Sequence, residues 1–196
     1  NPSDTFSKET ENHYYAYPAL VSKGLNAQYV VVARSGIGVY RNYGGPVEGS
    51  VDCLPNLYDY TLYGDTTEVW DFSRYIPDIV CVNLGTNDCV LEGYSIHLLK
   101  DAFVKFSQKL RSIYPDAKII WMTGCMLHGK PLEDLQSVLD EVVQESKTAG
   151  DKCMYRFDFT PQTGDLGYAA GWHPSRQQHE RMADELISFM RTIVNG

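Results

Sequence analysis

The chain has 196 residues, 43% of them hydrophobic and 21% charged, a balance typical of one globular domain with a sizeable core. Its formal net charge of −8 and the lack of a basic cluster in the sequence argue against a nucleic-acid partner. No apolar run approaches the length that a membrane-spanning helix needs, so we expect no membrane partner either.

The five cysteines are odd in number, and no pair has the C-x-x-C spacing of a metal site: Cys53, Cys81, Cys89, Cys125 and Cys153. We therefore expect free thiols, with no metal and no cofactor. Cys81 and Cys125 lie in or beside predicted strands and are expected to be buried. Free thiols favour a reducing or anaerobic setting, so we expect an anaerobic bacterial source and leave open whether the protein is secreted or cytoplasmic.

The first part of the chain predicts a loop, a helix and a strand. Residues 1–12 are polar and turn-rich, which predicts a loop. The pattern over Tyr14–Lys23 predicts a short helix, with Pro18 in its first turn and Gly24 as its end. The valine-rich segment Tyr29–Ala33 then predicts a strand, and a glycine-containing loop follows it.

The segment Ile79–Leu84 is a nearly continuous apolar run rich in β-branched residues. A strand that is apolar on both faces is typical of the centre of a parallel sheet covered by helices on each side. Before it, Asn42–Asp65 predicts a loop and Thr66–Tyr75 a short helix. After it, the apolar run stops at Gly-Thr-Asn-Asp, which places polar groups at the carboxyl end of the strand, where open α/β sheets bind ligands.

The rest of the chain alternates helices with strands. The predicted strands are Lys118–Met122 and Met154–Phe159, and the predicted helices are Ile96–Ile113, Leu132–Gln144 and Pro174–Val194. This alternation predicts an α/β fold with a parallel sheet built from βαβ units in one domain, 1–196.

Two strand ends and one helix start carry residues suited to acyl transfer. Glycines in Ser35-Gly36-Ile37-Gly38 allow backbone N–H groups to approach a ligand, and Asn87 can direct an amide N–H at an oxyanion. His173 comes just before a helix whose first turn holds Pro174, where an imidazole can serve as a general base. Taken alone, the Asn87 turn is as typical of an ordinary turn, and a lone glycine loop or a lone histidine is more often an ordinary βα turn or a surface residue. We interpret the remaining histidines as surface or capping residues: His13, His97, His128 and His179, the last of them solvated within its helix.

Together, the glycine loop, the Gly85-Thr86-Asn87-Asp88 turn and the late His-Pro-Ser resemble the SGNH (GDSL-like) hydrolases. More narrowly, residues 35–45 and 171–175 are similar to the second family of carbohydrate esterases, which remove acetyl groups from plant polysaccharides such as xylan. The resemblance runs from about Tyr14 to the end of the chain. It implies a flavodoxin-like three-layer sandwich with a parallel sheet of about five strands in the order 2-1-3-4-5.

The resemblance also implies roles for individual residues. Asn87 matches the oxyanion asparagine, and a backbone N–H of Gly36 or Gly38 supplies a second oxyanion donor. His173 matches the catalytic base. We expect these groups to converge on one small cavity, because each follows a strand end at the same sheet edge.

Three further residues surround this constellation. The resemblance places Trp172 and Tyr40 as walls of the acetyl or sugar pocket. Asp88 is expected to brace the loop after the strand rather than to act chemically. The expected partner is therefore an acetylated polysaccharide or oligosaccharide.

The nucleophile of the family is missing from the sequence. SGNH hydrolases carry a Ser in Gly-Asp-Ser at the end of the first, central strand, and this chain has no Gly-Asp-Ser. Thr66 in Gly64-Asp65-Thr66 follows no buried strand and is not expected to replace it. We expect an upstream segment, in the same polypeptide or a separate chain, to supply both the central strand and the Ser. Residues 1–12 would follow that Ser, and the chain alone would not fold.

The position three residues before His173, where most SGNH enzymes have an Asp, holds Ala170. We therefore expect a backbone carbonyl or water, rather than a carboxylate, to orient the imidazole, unless Asp165 folds back to reach it.

The sequence thus predicts a carboxylic ester hydrolase, a serine esterase that deacetylates xylan or a related glycan through a Ser–His acyl-enzyme mechanism. A non-catalytic carbohydrate-binding module and a lipid or thioester hydrolase on the same fold are the alternatives.

Overall fold

The computed structural model describes residues 2–5 and 7–194. They fall into two compact units, one formed by Arg34–Asp158 and the other by the described residues before and after that segment. The described residues form six α-helices: α1 (Tyr17–Leu25), α2 (Leu54–Leu57), α3 (Thr86–Cys89), α4 (Ile96–Ile113), α5 (Gly129–Thr148) and α6 (Arg176–Val194). They also form five strands: β1 (Tyr60–Leu62), β2 (Asp65–Val69), β3 (Ile79–Asn83), β4 (Lys118–Thr123) and β5 (Met154–Asp158). None of the described helices combines the length and apolarity that crossing a membrane requires.

The unit Arg34–Asp158 is built on a parallel sheet in the order β3-β4-β5. Val82 pairs with Trp121 and Thr123 pairs with Asp158, so the carboxyl ends of the strands lie together. This order confirms the α/β fold and the last three strands of the predicted sheet. The connections between these strands are α4 and α5, as expected of parallel strands joined by crossover helices.

Helices α4 and α5 pack their apolar faces into one core with the sheet. Phe103 and Phe106 of α4 contact the indole of Trp121 edge-on, with ring centroids 5.2 and 6.0 Å apart. Fully burying each such side chain contributes about 1.5–3 kcal/mol. The i, i+3 and i, i+4 spacing of apolar residues explains why both helices are predicted correctly, α4 with its bounds unchanged and α5 one turn longer at each end.

Gly85 positions the turn between β3 and α3. Its φ is +103°, a left-handed conformation, and a Cβ built on it would lie 2.5 Å from Cδ1 of Leu135. A side chain at this position would therefore meet both backbone strain and the wall of α5. The glycine allows the chain to turn directly from the end of β3 into α3, which carries Asn87.

In the second unit, α1 packs against α6. A Cβ on Gly24 would lie 2.4 Å from Cδ1 of Ile187, so this glycine permits close helix packing. The prediction that Gly24 ends the helix is wrong, because Leu25 is the last residue of α1. Asn26 follows it as the C-cap, in a left-handed conformation with a φ of 52°.

The segment Tyr29–Ala33 is not a strand, in contrast to the prediction. A strand needs a hydrogen-bonded neighbour, and no described segment pairs with this one. Its valines are accordingly exposed, Val30 to 61% and Val32 to 49%. The valine-rich segment does have high strand propensity, but hydrogen-bonded pairing with a neighbouring strand decides whether a strand forms.

Three smaller predictions are also corrected or limited. The segment predicted as a helix over Thr66–Tyr75 instead holds β2, which pairs with β1 in a hairpin, and a 3-10 turn at Phe72–Arg74. Cys81 is exposed rather than buried, because it points to the face of β3 opposite to Val82, whereas Cys125 is buried as predicted. The predicted N-terminal loop includes Asn1 and Phe6, which lie outside the described residues. None of the five cysteines forms a disulfide.

Candidate active site

The predicted site residues lie on both units, and each group is described within its own unit. In Arg34–Asp158, Asn87 follows β3 on the short helix α3. Its side-chain Nδ2 donates to the carbonyl oxygen of Ile37 at 2.8 Å. The structure therefore brings Asn87 to the glycine loop, as predicted from the two chain positions. No other described residue accepts a hydrogen bond from this amide, so its second N–H remains for a ligand.

The two glycines of the loop have different functions. The Gly38 N–H donates to Oδ1 of Asn42 at 2.9 Å, and a Cβ on Gly38 would lie 2.0 Å from the carbonyl oxygen of Arg41. Gly38 is thus tightly packed, and its donor is already used. The Gly36 N–H has no acceptor among the described residues, and the φ of Gly36 is +74°. Gly36 lines a cavity of about 210 Å³ with Ser35, Ile37, Asn42 and others, so it is the better candidate for an oxyanion donor.

Asp88 holds the segment that follows the glycine loop. Its carboxylate is fully buried and accepts the backbone N–H groups of Val39, Tyr40 and Arg41 at 2.8–3.1 Å. Burial raises the pKa of Asp88, and these three hydrogen bonds oppose that rise. Asp88 therefore has a bracing role, but it holds residues 39–41 and not the loop after β3, where the prediction placed it.

Tyr40 lies in the hydrophobic core of its unit. Its side chain is only 8% exposed, and its hydroxyl oxygen accepts the Ser95 N–H at 2.8 Å, immediately before α4. Burial raises the pKa of this phenol. The ring and the hydroxyl are thus largely buried, and the placement of Tyr40 as a wall of the acetyl or sugar pocket stays a prediction.

In the other unit, His173 is exposed in the loop before α6, and its Nδ1 lies 3.0 Å from the carbonyl oxygen of Ala170. A carbonyl only accepts, so this contact requires the proton on Nδ1 and leaves Nε2 as an acceptor. Asp165 instead accepts from Thr163 and pairs with Arg181. Of the described carboxylates, none contacts this imidazole, and the prediction of a backbone carbonyl is confirmed.

Trp172 is 60% exposed and lies in a left-handed conformation, with φ +64°. A bulky residue in that region costs on the order of 1–2 kcal/mol, and such strain is concentrated at functional sites. Gln162, only 5% exposed, donates from Nε2 to the Trp172 carbonyl at 2.8 Å. The ring of Tyr168 meets the indole edge-on, with centroids 5.1 Å apart. Sequence reasoning missed both supporting residues, since neither lies in a recognisable motif.

Ser175 ties the His173 loop to helix α6. Its hydroxyl donates to the Leu166 carbonyl at 2.7 Å and accepts the Gln178 N–H at 3.1 Å, as an N-cap does. The helix therefore begins at Arg176, two residues later than predicted. The serine of the His-Pro-Ser motif thus has a structural role, because its hydroxyl caps the first turn of α6.

His179 is half-buried in α6 rather than solvated, which corrects the prediction. Its Nδ1 accepts the Tyr17 N–H at 3.3 Å, and the two rings stack at 6.1 Å. Burial lowers the pKa of His179, with a smaller contribution from the charge of His173. Of the other candidates, Thr66 is exposed in β2. The predicted convergence of His173 with Asn87 and the glycine loop stays a prediction.

Comparison with known proteins identifies a family over nearly the whole chain. The family model of the GDSL-like lipase/acylhydrolases matches residues 4–186. The cellulase/esterase CelE of Acetivibrio thermocellus is 37% identical over 187 residues, which cover 95% of this chain and 22% of that protein. An acetylxylan esterase / glucomannan deacetylase of Cellvibrio japonicus is 29% identical, covering 92% of this chain and 48% of its own length. The chain thus spans at most about half of these two curated relatives.

Solved structures agree with this result. A family two carbohydrate esterase from Clostridium thermocellum in complex with cellohexaose has a TM-score of 0.94 and 34% identity, covering 100% of this chain and 59% of that chain. A family two carbohydrate esterase from Cellvibrio japonicus has a TM-score of 0.85 and 26% identity, covering 98% and 55%. The predicted resemblance to SGNH hydrolases, and within them to the second family of carbohydrate esterases, is confirmed.

Proposed function

We propose, since the chain belongs to the GDSL-like lipase/acylhydrolase family, that its protein is a serine esterase that removes O-acetyl groups from xylan or a related plant glycan. The observation that carries this proposal is the contact between Asn87 and the glycine loop. It places the Asn87 amide, whose second N–H has no acceptor among the described residues, beside the loop that holds Gly36, whose N–H likewise has none among them. Two such donors are what a tetrahedral acyl oxyanion needs.

In the proposed reaction a Ser hydroxyl attacks the acetyl carbonyl carbon, and His173 takes the hydroxyl proton on Nε2. The carbonyl oxygen becomes an oxyanion that accepts from Gly36 and from Nδ2 of Asn87. When the C–O bond to the sugar breaks, His173 returns the proton to the departing sugar oxygen. Water, activated by the same imidazole, then hydrolyses the acyl-enzyme and releases acetate.

The imidazole is set up for this role without an acid. The Ala170 carbonyl fixes the Nδ1–H tautomer that a base needs and stabilises the imidazolium that forms. A neutral carbonyl stabilises that cation less than a carboxylate does. The proposed enzyme is therefore a Ser–His dyad, in which the backbone takes the place of the third residue.

We further propose that the nucleophile comes from a strand that pairs with β3. Strand β3 is apolar and lies at one edge of the described sheet, where β4 is the strand that it pairs with. An edge of this kind is a template for another parallel strand. A strand ending in Gly-Asp-Ser, from the same polypeptide or a separate chain, would place its Ser at the carboxyl edge near Asn87.

Binding without catalysis is the second candidate. The exposed Trp172 indole is a surface on which a sugar ring can stack, and a related solved structure holds cellohexaose. A lipid or thioester hydrolase is favoured less, because Arg34 and Asn42 bring polar side chains to the small cavity beside Gly36.

The test is acetate release from acetylated xylan by the full-length protein. We expect turnover, a loss of roughly 10⁴- to 10⁶-fold for His173→Ala, and little change for His97→Ala, an exposed histidine that lies beside Asp101. Binding of xylo- or cello-oligosaccharides with no acetate release would identify the binding module. A strong preference for long acyl chains would instead identify the lipid or thioester hydrolase.

A further inference from the structure

We propose that Asn42 and Asp52 form a positioning pair that sets the glycine loop for oxyanion binding, an inference that rests on the proposed function. Asn42 is anchored at every polar group. Its N–H donates to the Ser50 hydroxyl at 3.1 Å and its carbonyl accepts from Gly45 at 2.8 Å. Its side chain joins Gly38 to Asp52, so one residue connects the glycine loop to a segment ten positions later.

The orientation of the Asn42 amide follows from the chemistry of its neighbours. Oδ1 of Asp52 lies 2.7 Å from Nδ2 of Asn42, and a carboxylate only accepts, so Nδ2 must face Asp52. Oδ1 of Asn42 must then face the Gly38 N–H, a donor, at 2.9 Å. Arg34 holds the other carboxylate oxygen of Asp52 at 3.2 Å. Donors and acceptors therefore alternate along Arg34, Asp52, Asn42 and Gly38. The Asn42 amide cannot be flipped without placing a donor against a donor and an acceptor against an acceptor.

The consequence concerns which N–H faces the substrate. Asn42 withdraws the Gly38 donor and fixes the peptide on the far side of Ile37, while the Tyr43 N–H holds the carbonyl of Gly36 at 2.8 Å. The Gly36 N–H lies just outside the segment between these two anchors, next to the anchored Gly36 carbonyl, and it has no acceptor among the described residues. Because the Tyr43 N–H belongs to the same planar peptide group as the Asn42 carbonyl, fixing Asn42 also fixes Gly36. Asn42 and Asp52 would thus act through Gly36, without touching the substrate oxygen themselves.

A charge swap tests this pair in the full-length protein. Asn42→Asp keeps an acceptor for Gly38 but places two carboxylates in contact, and we expect kcat to fall about 30- to 100-fold with KM within about twofold. Asp52→Asn keeps an acceptor for Nδ2 of Asn42 and should cost less than about fivefold. The double variant Asn42→Asp/Asp52→Asn restores one donor facing one acceptor, and we expect recovery to within about fivefold of wild type.

Two readouts separate positioning from simple structural damage. In Asn42→Asp the two carboxylates share a proton more readily as the pH falls, so activity relative to wild type should rise on acidification. Affinity for a boronic acid that mimics the tetrahedral intermediate should fall with kcat, whereas affinity for a xylo-oligosaccharide should not. Asn56→Asp, the same chemical change at an exposed asparagine, is the matched control and should change neither.

The positioning role would be overturned if Asn42→Asp had a kcat near that of wild type. It would also be overturned if the double variant had a kcat no higher than that of Asn42→Asp. Either result would leave the proposed esterase function standing. Parallel loss of boronate and oligosaccharide affinity would also overturn it, because general damage lowers both. A wild-type protein that releases no acetate overturns the proposed function itself, and the oxyanion role of the pair with it.

Discussion

The glycine loop and the His173 loop are held in opposite ways. Around the glycine loop, the fully buried carboxylate of Asp88 accepts three consecutive backbone N–H groups. Around His173, the contacts come from neutral groups, the Ala170 carbonyl and the amide of Gln162, and Trp172 is exposed and strained. A developing negative charge needs donors that do not reorganise, and a buried charge provides that rigidity. The proposed base, His173, and the exposed ring of Trp172 need less rigid positioning, so neutral hydrogen-bond partners are sufficient for them.

The largest expected change in stability is on the rigid side. Asp88→Ala leaves three buried N–H groups without acceptors, and we expect the free energy of unfolding to fall by about 3–5 kcal/mol. Asp88→Asn keeps one acceptor oxygen and should lose less. Urea denaturation of the full-length protein measures both, with the exposed Asp116→Asn as control. An Asp88→Ala variant within about 1 kcal/mol of wild type would show that water replaces the carboxylate.

Asn87→Ala removes one proposed oxyanion donor. We expect kcat for acetate release to fall about 100- to 1000-fold with little change in KM, since the donor acts mainly on the transition state. Steady-state kinetics of folded protein measure this, and thermal melting controls for stability. If turnover stays near wild type, Asn87 is only a turn residue.

On the softer side, Gln162→Met removes the donor to the Trp172 carbonyl while nearly keeping the side-chain volume. A left-handed Trp172 then loses its support, and we expect oligosaccharide affinity or KM to worsen about 5- to 10-fold, corresponding to about 1–1.4 kcal/mol. The effect on kcat should be smaller, because His173 keeps its contact with Ala170. Isothermal titration with a xylo-oligosaccharide gives the affinity. A change confined to kcat would contradict the comparison, since it would place Gln162 on the chemistry.

The smallest expected effect is a pH dependence from His179. Burial holds its folded pKa below the ordinary value of 6.5. The neutral form therefore stabilises the fold fully above pH 6.5, and this stability is lost as the pH falls from 6.5 through the lowered pKa. His179→Asn, whose amide oxygen can accept the Tyr17 N–H, should flatten that part of the stability curve. Unfolding measured across pH 5 to 8 decides this, and an unchanged slope would exclude His179 as the source.

The sequence by itself determined the features that depend on neighbours in the chain. Apolar spacing gave α4 its bounds, the β-branched run gave β3, and Ala170 in place of an acid predicted the carbonyl contact of His173. In each case the deciding partner lies within a few residues, so periodicity or local composition is sufficient evidence.

Only the tertiary structure decided the features that depend on distant partners. The Val39 N–H finds its acceptor in Asp88, 49 residues away, and the hydroxyl of the buried Tyr40 accepts the Ser95 N–H, 55 residues away. Asn42 lies within residues 35–45, which carry the family resemblance, but no sequence pattern shows that its side chain accepts the Gly38 N–H and leaves Gly36 as the glycine of the loop without an acceptor among the described residues. The exposed valines of Tyr29–Ala33 have strand propensity but no pairing partner among the described residues. Hydrogen-bond partners are set by packing, and no local pattern of residue types encodes which distant group a donor will meet.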